Sequence, residues 1–152
     1  MDKEQYEVLK DRLNQLKGIP TDAAVLDFDK LGRIIEKLYS FSSDCEVCRL
    51  HLKEIDSHLR LLNDHMYEVS KEEMEKSKNI HSEAFSHLQK VHKIITNGTY
   101  LAVFMSIGMS LGIVFGMTIF DNIALGLPTG LSIGLAIGAG LDADAKKKGL
   151  SL

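Results

Sequence analysis

The sequence predicts an all-α protein in two unlike parts: a cytosolic helical bundle or coiled coil with a long heptad helix, then a C-terminal two-helix transmembrane hairpin. Three observations predict it. From Tyr100 to Leu141 the only charged residue is Asp121, so the chain turns abruptly apolar after a charged first part. Within that stretch glycine recurs every four residues, at Gly108, Gly112 and Gly116 and again at Gly126, Gly130, Gly134 and Gly138. Upstream, apolar residues from Cys45 to Val69 alternate spacings of three and four, the signature of a helical seam.

The mean hydropathy near zero averages these two parts. Residues 1–98 carry 15 Lys+Arg against 18 Asp+Glu, and residues 99–152 carry three of each sign. A mildly acidic first part without tryptophan or a basic stripe gives no electrostatic case for binding nucleic acid. It is also short for an elaborate enzyme core. No phosphate-binding glycine loop, HExxH or Ser/His/Asp arrangement is present, so no catalytic residue and no enzymatic activity are expected. The hydrophilic start, Met1 to Gln5, offers no signal-peptide core, and a cytosolic first part keeps its cysteines reduced.

In the first predicted helix Tyr6, Leu9, Leu13 and Leu16 share one face until Gly18-Ile19-Pro20 stops it. Thr21 is the expected N-cap of a second helix, with Val25, Phe28, Leu31, Ile35, Leu38 and Tyr39 along one side and an end near Ser42-Ser43. Asp44 then caps a third segment whose seam is Cys45, Cys48, Leu52, Ile55, Leu59, Leu62, Met66 and Val69. Ser70 to Asn79 is charged and weakly apolar, and the pattern resumes out of phase at Met74, His81, Ala84, Leu88, Val91 and Ile95. Such a shift alters a supercoil or marks a joint. Read as one rod, the segment reaches about 80 Å at 1.5 Å per residue. Its seam is then buried partly by the first two helices and partly by neighbouring chains.

Tyr100 to Phe120 and Ile123 to Leu141 are each long enough to cross a hydrocarbon core of about 30 Å. Asp121-Asn122 supplies the turn. Pro128 either interrupts a full second span or marks a later start; the full span is favoured, because a shorter helix leaves Asp142 too deep. Lys90 and Lys93 before the hairpin and Lys146 to Lys148 after it place both termini in the cytoplasm of a cell membrane. The expected divisions are a cytosolic domain at 1–98, the hairpin at 99–145 and a basic tail at 146–152. Glycines in register let helix backbones approach closely in lipid. A further small row, Ser132, Ala136 and Gly140, has a use if another chain packs there, which predicts a homo-oligomer.

The run SIGMSLGIVFGMTIFDNIALGLPTGLSIGLAIGAGLDADAKKKG resembles the glycine-zipper hairpins of small bacterial membrane proteins, common in Gram-positive lineages. It covers about a third of the chain. The resemblance implies a membrane location and close helix packing, and no chemistry.

Three sets of polar residues are candidate sites. Cys45 and Cys48 form the chain's CxxC, a spacing that can hold half a zinc site. His51, one turn on, is badly placed on a straight helix to share an ion with both, so a complete site needs two chains. Otherwise the pair packs in the seam as small apolar residues, or acts in redox chemistry, for which the usual βαβ context is missing. His51, His58 and His65 recur every seven residues and read as solvated flanks or as a pH-responsive stripe, with His81, His87 and His92 further along. Asp142 and Asp144 read as interfacial charges or, in an oligomer, as an acidic ring at a pore mouth.

The function expected from these features is a self-associating, membrane-anchored scaffold or adaptor presenting its bundle to a cytosolic protein. The alternatives are an oligomeric membrane effector, such as a small channel or membrane-disrupting protein, and an immunity-type membrane protein.

Overall fold

The computed structural model describes residues 2–17, 27–64 and 70–152. The described residues form six α-helices and, apart from an isolated bridge between Ile95 and Ser151, no β-structure. The chain divides into two compact units between Lys93 and Ile94.

The first unit holds four helices: α1 (Lys3–Lys17), α2 (Phe28–Phe41), α3 (Glu46–Asp64) and α4 (Lys71–His92). α1 buries Tyr6, Leu9, Leu13 and Leu16, the four residues its periodicity selects. α2 begins at Phe28, where the Asp27 carboxylate accepts from the Lys30 amide at 2.8 Å. Gly18 to Pro20, Thr21 and Val25, the expected stop, cap and first apolar position, lie outside the described residues. α2 turns its apolar stripe inward through Leu31, Ile34, Ile35 and Leu38. Tyr6 stacks on Tyr39 at a ring separation of 4.0 Å, and Lys17 pairs with Asp29 at 2.7 Å. Those contacts set α1 and α2 antiparallel.

The heptad segment is not one rod. α3 ends at Asp64, and α4 starts afresh after Ser70, whose hydroxyl accepts from the Glu73 amide while the Glu73 carboxylate accepts from the Ser70 amide. Such a reciprocal cap satisfies amides that a continuing helix would have used. It sits at the charged stretch where the apolar phase changes. α4 runs back along α3, because Cys45 meets His87, Cys48 meets His92 and His58 meets Ser77. Cys48, Leu52, Ile55, Leu59 and Leu62 are all buried inside this single chain. α4 faces them with Ser77, Ile80, Ala84 and Leu88, while Val91, assigned to the seam from sequence, is 57% exposed. Each fully buried leucine or isoleucine contributes about 1.5–3 kcal/mol of burial, so the described part of the seam is covered within one chain; Met66 and Val69 lie outside the described residues. Arg12 on α1 adds an ion pair to Asp56, which also meets Arg60 at 2.7 Å.

The second unit is a helical hairpin, α5 (Thr99–Thr118) and α6 (Ile123–Lys147). Gly98 stands at the cap position before α5, where its φ of 82° suits glycine. The turn falls at Asp121-Asn122; Asn122 caps α6 through a 2.9 Å bond from the Ala124 amide, and its own amide bonds the Gly116 carbonyl at 2.8 Å. α6 passes through Pro128 unbroken, giving the full second span. Both helices are long and apolar enough to cross a membrane.

The contact between α5 and α6 is backbone on backbone. The buried residues of α5 are Gly108, Gly112 and Gly116, and those of α6 are Gly126, Gly130, Gly134, Gly138 and Ala145. A Cβ on Gly112 would lie 2.6 Å from the Gly126 carbonyl oxygen, and one on Gly138 would lie 2.7 Å from Leu101 Cα. All seven glycines are therefore used within one hairpin. Gly140, in contrast, has open space where a Cβ would be. The tail closes this unit: Ile95 N–H donates to the Leu150 carbonyl and Leu152 N–H to the Ile95 carbonyl, both at 2.8 Å.

Candidate metal centre

The start of α3 and the end of α4 bring four donors to one place. Cys45 immediately precedes α3, and its carbonyl accepts from the Arg49 amide at 3.3 Å. Its sulfur takes the role a Ser or Asp oxygen has at a helix start, accepting from the Cys48 amide at 3.4 Å. Cys45 is thus the cap that the sequence assigns to Asp44, whose carboxylate instead accepts from the Ser43 hydroxyl. Cys48, on the first turn of α3, is fully buried; Cys45 is partly exposed.

Opposite them stand His87 and His92 on the last turns of α4. Cys45 Sγ lies 3.3 Å from His87 Nε2, and Cys48 Sγ lies 3.3 Å from His92 Nε2. One ligand atom from each of the four residues falls within 4.8 Å of the other three. Two hydrogen-bonded thiol–imidazole pairs require only the two short distances. The mutual closeness of all four is what a single tetrahedral ion requires, with bonds of about 2.3 Å to sulfur and 2.0–2.1 Å to nitrogen.

Aromatic neighbours orient the imidazoles. Phe41 stacks on His92 with ring centroids 4.0 Å apart and planes 16° from parallel, and His92 meets His87 edge-on at 5.4 Å. The His51 ring is 5.6 Å from that of His87. Burial, followed by the neighbouring His51 and His92, lowers the pKa of His87 and keeps it in the neutral form that binds metals. Burial, followed by Cys45, pushes the Cys48 thiol up to about 12. A metal-free site therefore holds Cys48 neutral, and a divalent cation is the kind of charge that would reverse this.

The spacing is legible in hindsight. Cys-x₂-Cys and His-x₄-His both lie within the ranges of Cys₂His₂ sites. On a continuous rod His87 stands about 60 Å from Cys48 at 1.5 Å per residue, which hides the second half. The helical reversal removes that distance, and one chain supplies all four donors.

The other predicted sites are rearranged. His51, His58 and His65 do not form one solvated stripe. His51 lies beside the metal centre, with Glu54 3.6 Å from its Nδ1. His58 is buried against the Ser77 hydroxyl, and His65 lies outside the described residues. Burial is the main cause that lowers the pKa of His58 and brings that of His81 to about 4. At the hairpin, Asp142 accepts from the Tyr100 and Leu101 amides at 3.2 and 3.0 Å, capping α5 from the end of α6. Asp144 pairs with Lys148 at 2.7 Å.

No family model, curated protein or solved structure matches the chain.

Proposed function

We propose that this protein is a non-catalytic, membrane-anchored scaffold whose cytosolic bundle is closed by one structural Zn²⁺ held by Cys45, Cys48, His87 and His92. The observation that carries this reading is the convergence of four zinc-type donors from one chain, as many as a tetrahedral shell takes. A catalytic zinc needs three protein ligands and a free position for water or substrate. Four protein donors make a closed site whose work is structural. Two thiolates also cancel the charge of the ion, which limits the cost of holding it in a partly buried place.

The hairpin supplies the anchor. Its glycines face inward while Val103, Ile107, Leu111, Val114, Leu125 and Ile133 stand outward, 46–60% exposed. That apolar belt is suited to lipid and costly in water. Flanking lysines favour both ends of the hairpin on the cytoplasmic side. A pore or membrane-disrupting role has less in its favour. The glycine rows are occupied within one chain, and of the two candidates for a charged mouth Asp142 serves as a helix cap and Asp144 pairs with Lys148. Self-association is left with the Ser132, Ala136 and Gly140 row as its support.

Reconstitution of the full chain into dye- and K⁺-loaded liposomes, in zinc-loaded and chelator-stripped forms, tests this reading. A scaffold leaves the vesicles sealed in both states. Leakage in either state would overturn it in favour of the effector reading.

A further inference from the structure

The two sulfurs of the metal centre differ in a way that a purely structural zinc site does not need. Cys45 precedes α3, outside the helix, and is partly exposed; Cys48 lies inside the first turn and is fully buried. The Cys48 amide donates to Cys45 Sγ, so the two residues already face each other across that turn. Residues three apart on a helical turn hold their Cβ atoms about 5–6 Å apart, and a disulfide needs about 3.5–4.5 Å. The difference falls to Cys45, the cap residue before the helix, whose amide bonds the Phe41 carbonyl at 2.9 Å and no carbonyl of α3. No other cysteine in the chain can compete for either sulfur.

From this asymmetry we infer that the centre is a redox-gated clasp: peroxide oxidises Cys45 first, Cys48 resolves it to the Cys45–Cys48 disulfide, and the zinc is released. The inference rests on the zinc reading above. In the bound state both sulfurs are thiolates. The Cys45 thiolate, the one with solvent access, attacks an oxygen of hydrogen peroxide; the O–O bond breaks, hydroxide leaves, and Cys45 becomes a sulfenic acid. The Cys48 thiolate then attacks the Cys45 sulfur and displaces a second hydroxide, forming the S–S bond. Two protons convert the hydroxides to water, the sulfurs lose two electrons and the peroxide gains two. Two histidines remain, too few to hold the ion, and Zn²⁺ departs.

The mechanical consequence is one-sided. The start of α3 loses its link to the end of α4, while the far end of the pair keeps the His58–Ser77 bond and the Leu52, Ile55 and Leu59 core, which contain no thiol for peroxide to attack. Oxidation therefore opens the bundle at the metal end and leaves the rest closed. Reductant and zinc together reverse it.

The experiment uses the full chain in nanodiscs, loaded with zinc and exposed to hydrogen peroxide. Released zinc is read with a chromogenic chelator, and the cysteines are read by peptide mapping with a sulfenic-acid trap present. The expected result is one zinc released per Cys45–Cys48 disulfide, a trapped adduct at Cys45 and not at Cys48, and full reloading after reductant and zinc. In Cys45→Ser the oxidation of Cys48 slows on the order of tenfold or more. If this variant does not fold, the position of the adduct in the unaltered chain decides. A protein that takes up no zinc at the outset overturns the metal reading itself. Zinc that stays bound under peroxide overturns the redox inference alone, as does release accompanied by sulfinic acid or inter-chain disulfide, or an adduct first at Cys48.

Discussion

The bundle and the hairpin solve the same problem with opposite means. In the bundle, helices are held apart by large side chains that fill the space between them, with Leu9, Leu31, Ile35, Leu38, Leu52, Ile55 and Leu59 essentially inaccessible. In the hairpin, helices touch because side chains are missing, and the buried positions are glycines. Water drives the first arrangement through the burial of apolar area. In the membrane proposed for the hairpin, lipid would remove that drive and close backbone contact would take its place. A further contrast follows: the bundle alone has room for chemistry, because only side chains can bring sulfur and imidazole together.

That contrast can be broken from either side. The largest effect is expected from metal removal. Structural zinc binding in small domains is worth about 10–16 kcal/mol in apparent terms, part of which, in the proposed centre, would hold two helix ends together. Chelator treatment should lower the melting temperature of the bundle by about 10 °C or more while leaving hairpin helicity unchanged. Circular dichroism and hydrogen exchange read the two units separately, and equal loss in both would erase the distinction.

Next in size is Gly130→Leu. A Cβ there meets the Gly108 carbonyl and the Gly112 backbone, neither of which can move aside without separating the helices. A cost of about 3 kcal/mol or more is expected, seen as altered hairpin mobility in detergent gels, with zinc content and bundle melting intact. Gly140→Leu, where nothing lies within 4 Å, should leave the isolated hairpin unaffected. An equal response at both positions would refute the packing account.

A smaller effect is expected from acid. His81 is held near pKa 4 and His58 also below its ordinary 6.5, chiefly by burial, so both are neutral in the folded state. The unfolded chain takes up their protons more readily. Their contribution is therefore constant above about pH 6.5 and is lost as pH falls from there toward 4. Chelator-stripped protein, free of competition between protons and metal, should melt a few degrees lower at pH 5 than at pH 7.5. No change would mean that neither histidine is buried in solution.

The smallest effect belongs to Asp142→Ala. It removes the acceptor for two amides at the start of α5 and should cost about 1 kcal/mol. The loss should fall on the hairpin and not on the bundle.

The same contrast explains what the sequence made legible. The hairpin is written locally: a four-residue glycine register, an Asp-Asn turn and two apolar lengths leave little to topology. α1 is written in its own periodicity, down to Tyr6, Leu9, Leu13 and Leu16, and α2 in Leu31, Ile35 and Leu38, though the pattern does not select its buried Ile34. The candidate metal centre is not local. Cys45 and Cys48 are conspicuous, but their partners became neighbours only because the chain reverses between α3 and α4. The sequence mark of that reversal, Ser70 and Glu73 at a phase change, reads equally as a joint in a rod until the reciprocal cap is seen. Ser77 escaped the apolar count for a related reason: it is buried because His58 bonds it, and hydrophobicity alone does not select it.

The account rests most directly on the metal content of the intact chain, read by native mass spectrometry after purification without chelator and addition of one equivalent of Zn²⁺. One zinc per chain, retained in monomer and oligomer alike and lost in His92→Ala, is the predicted result. Chains that stay metal-free, or that hold zinc only as dimers sharing one ion, would contradict a centre built from the four donors of a single protomer.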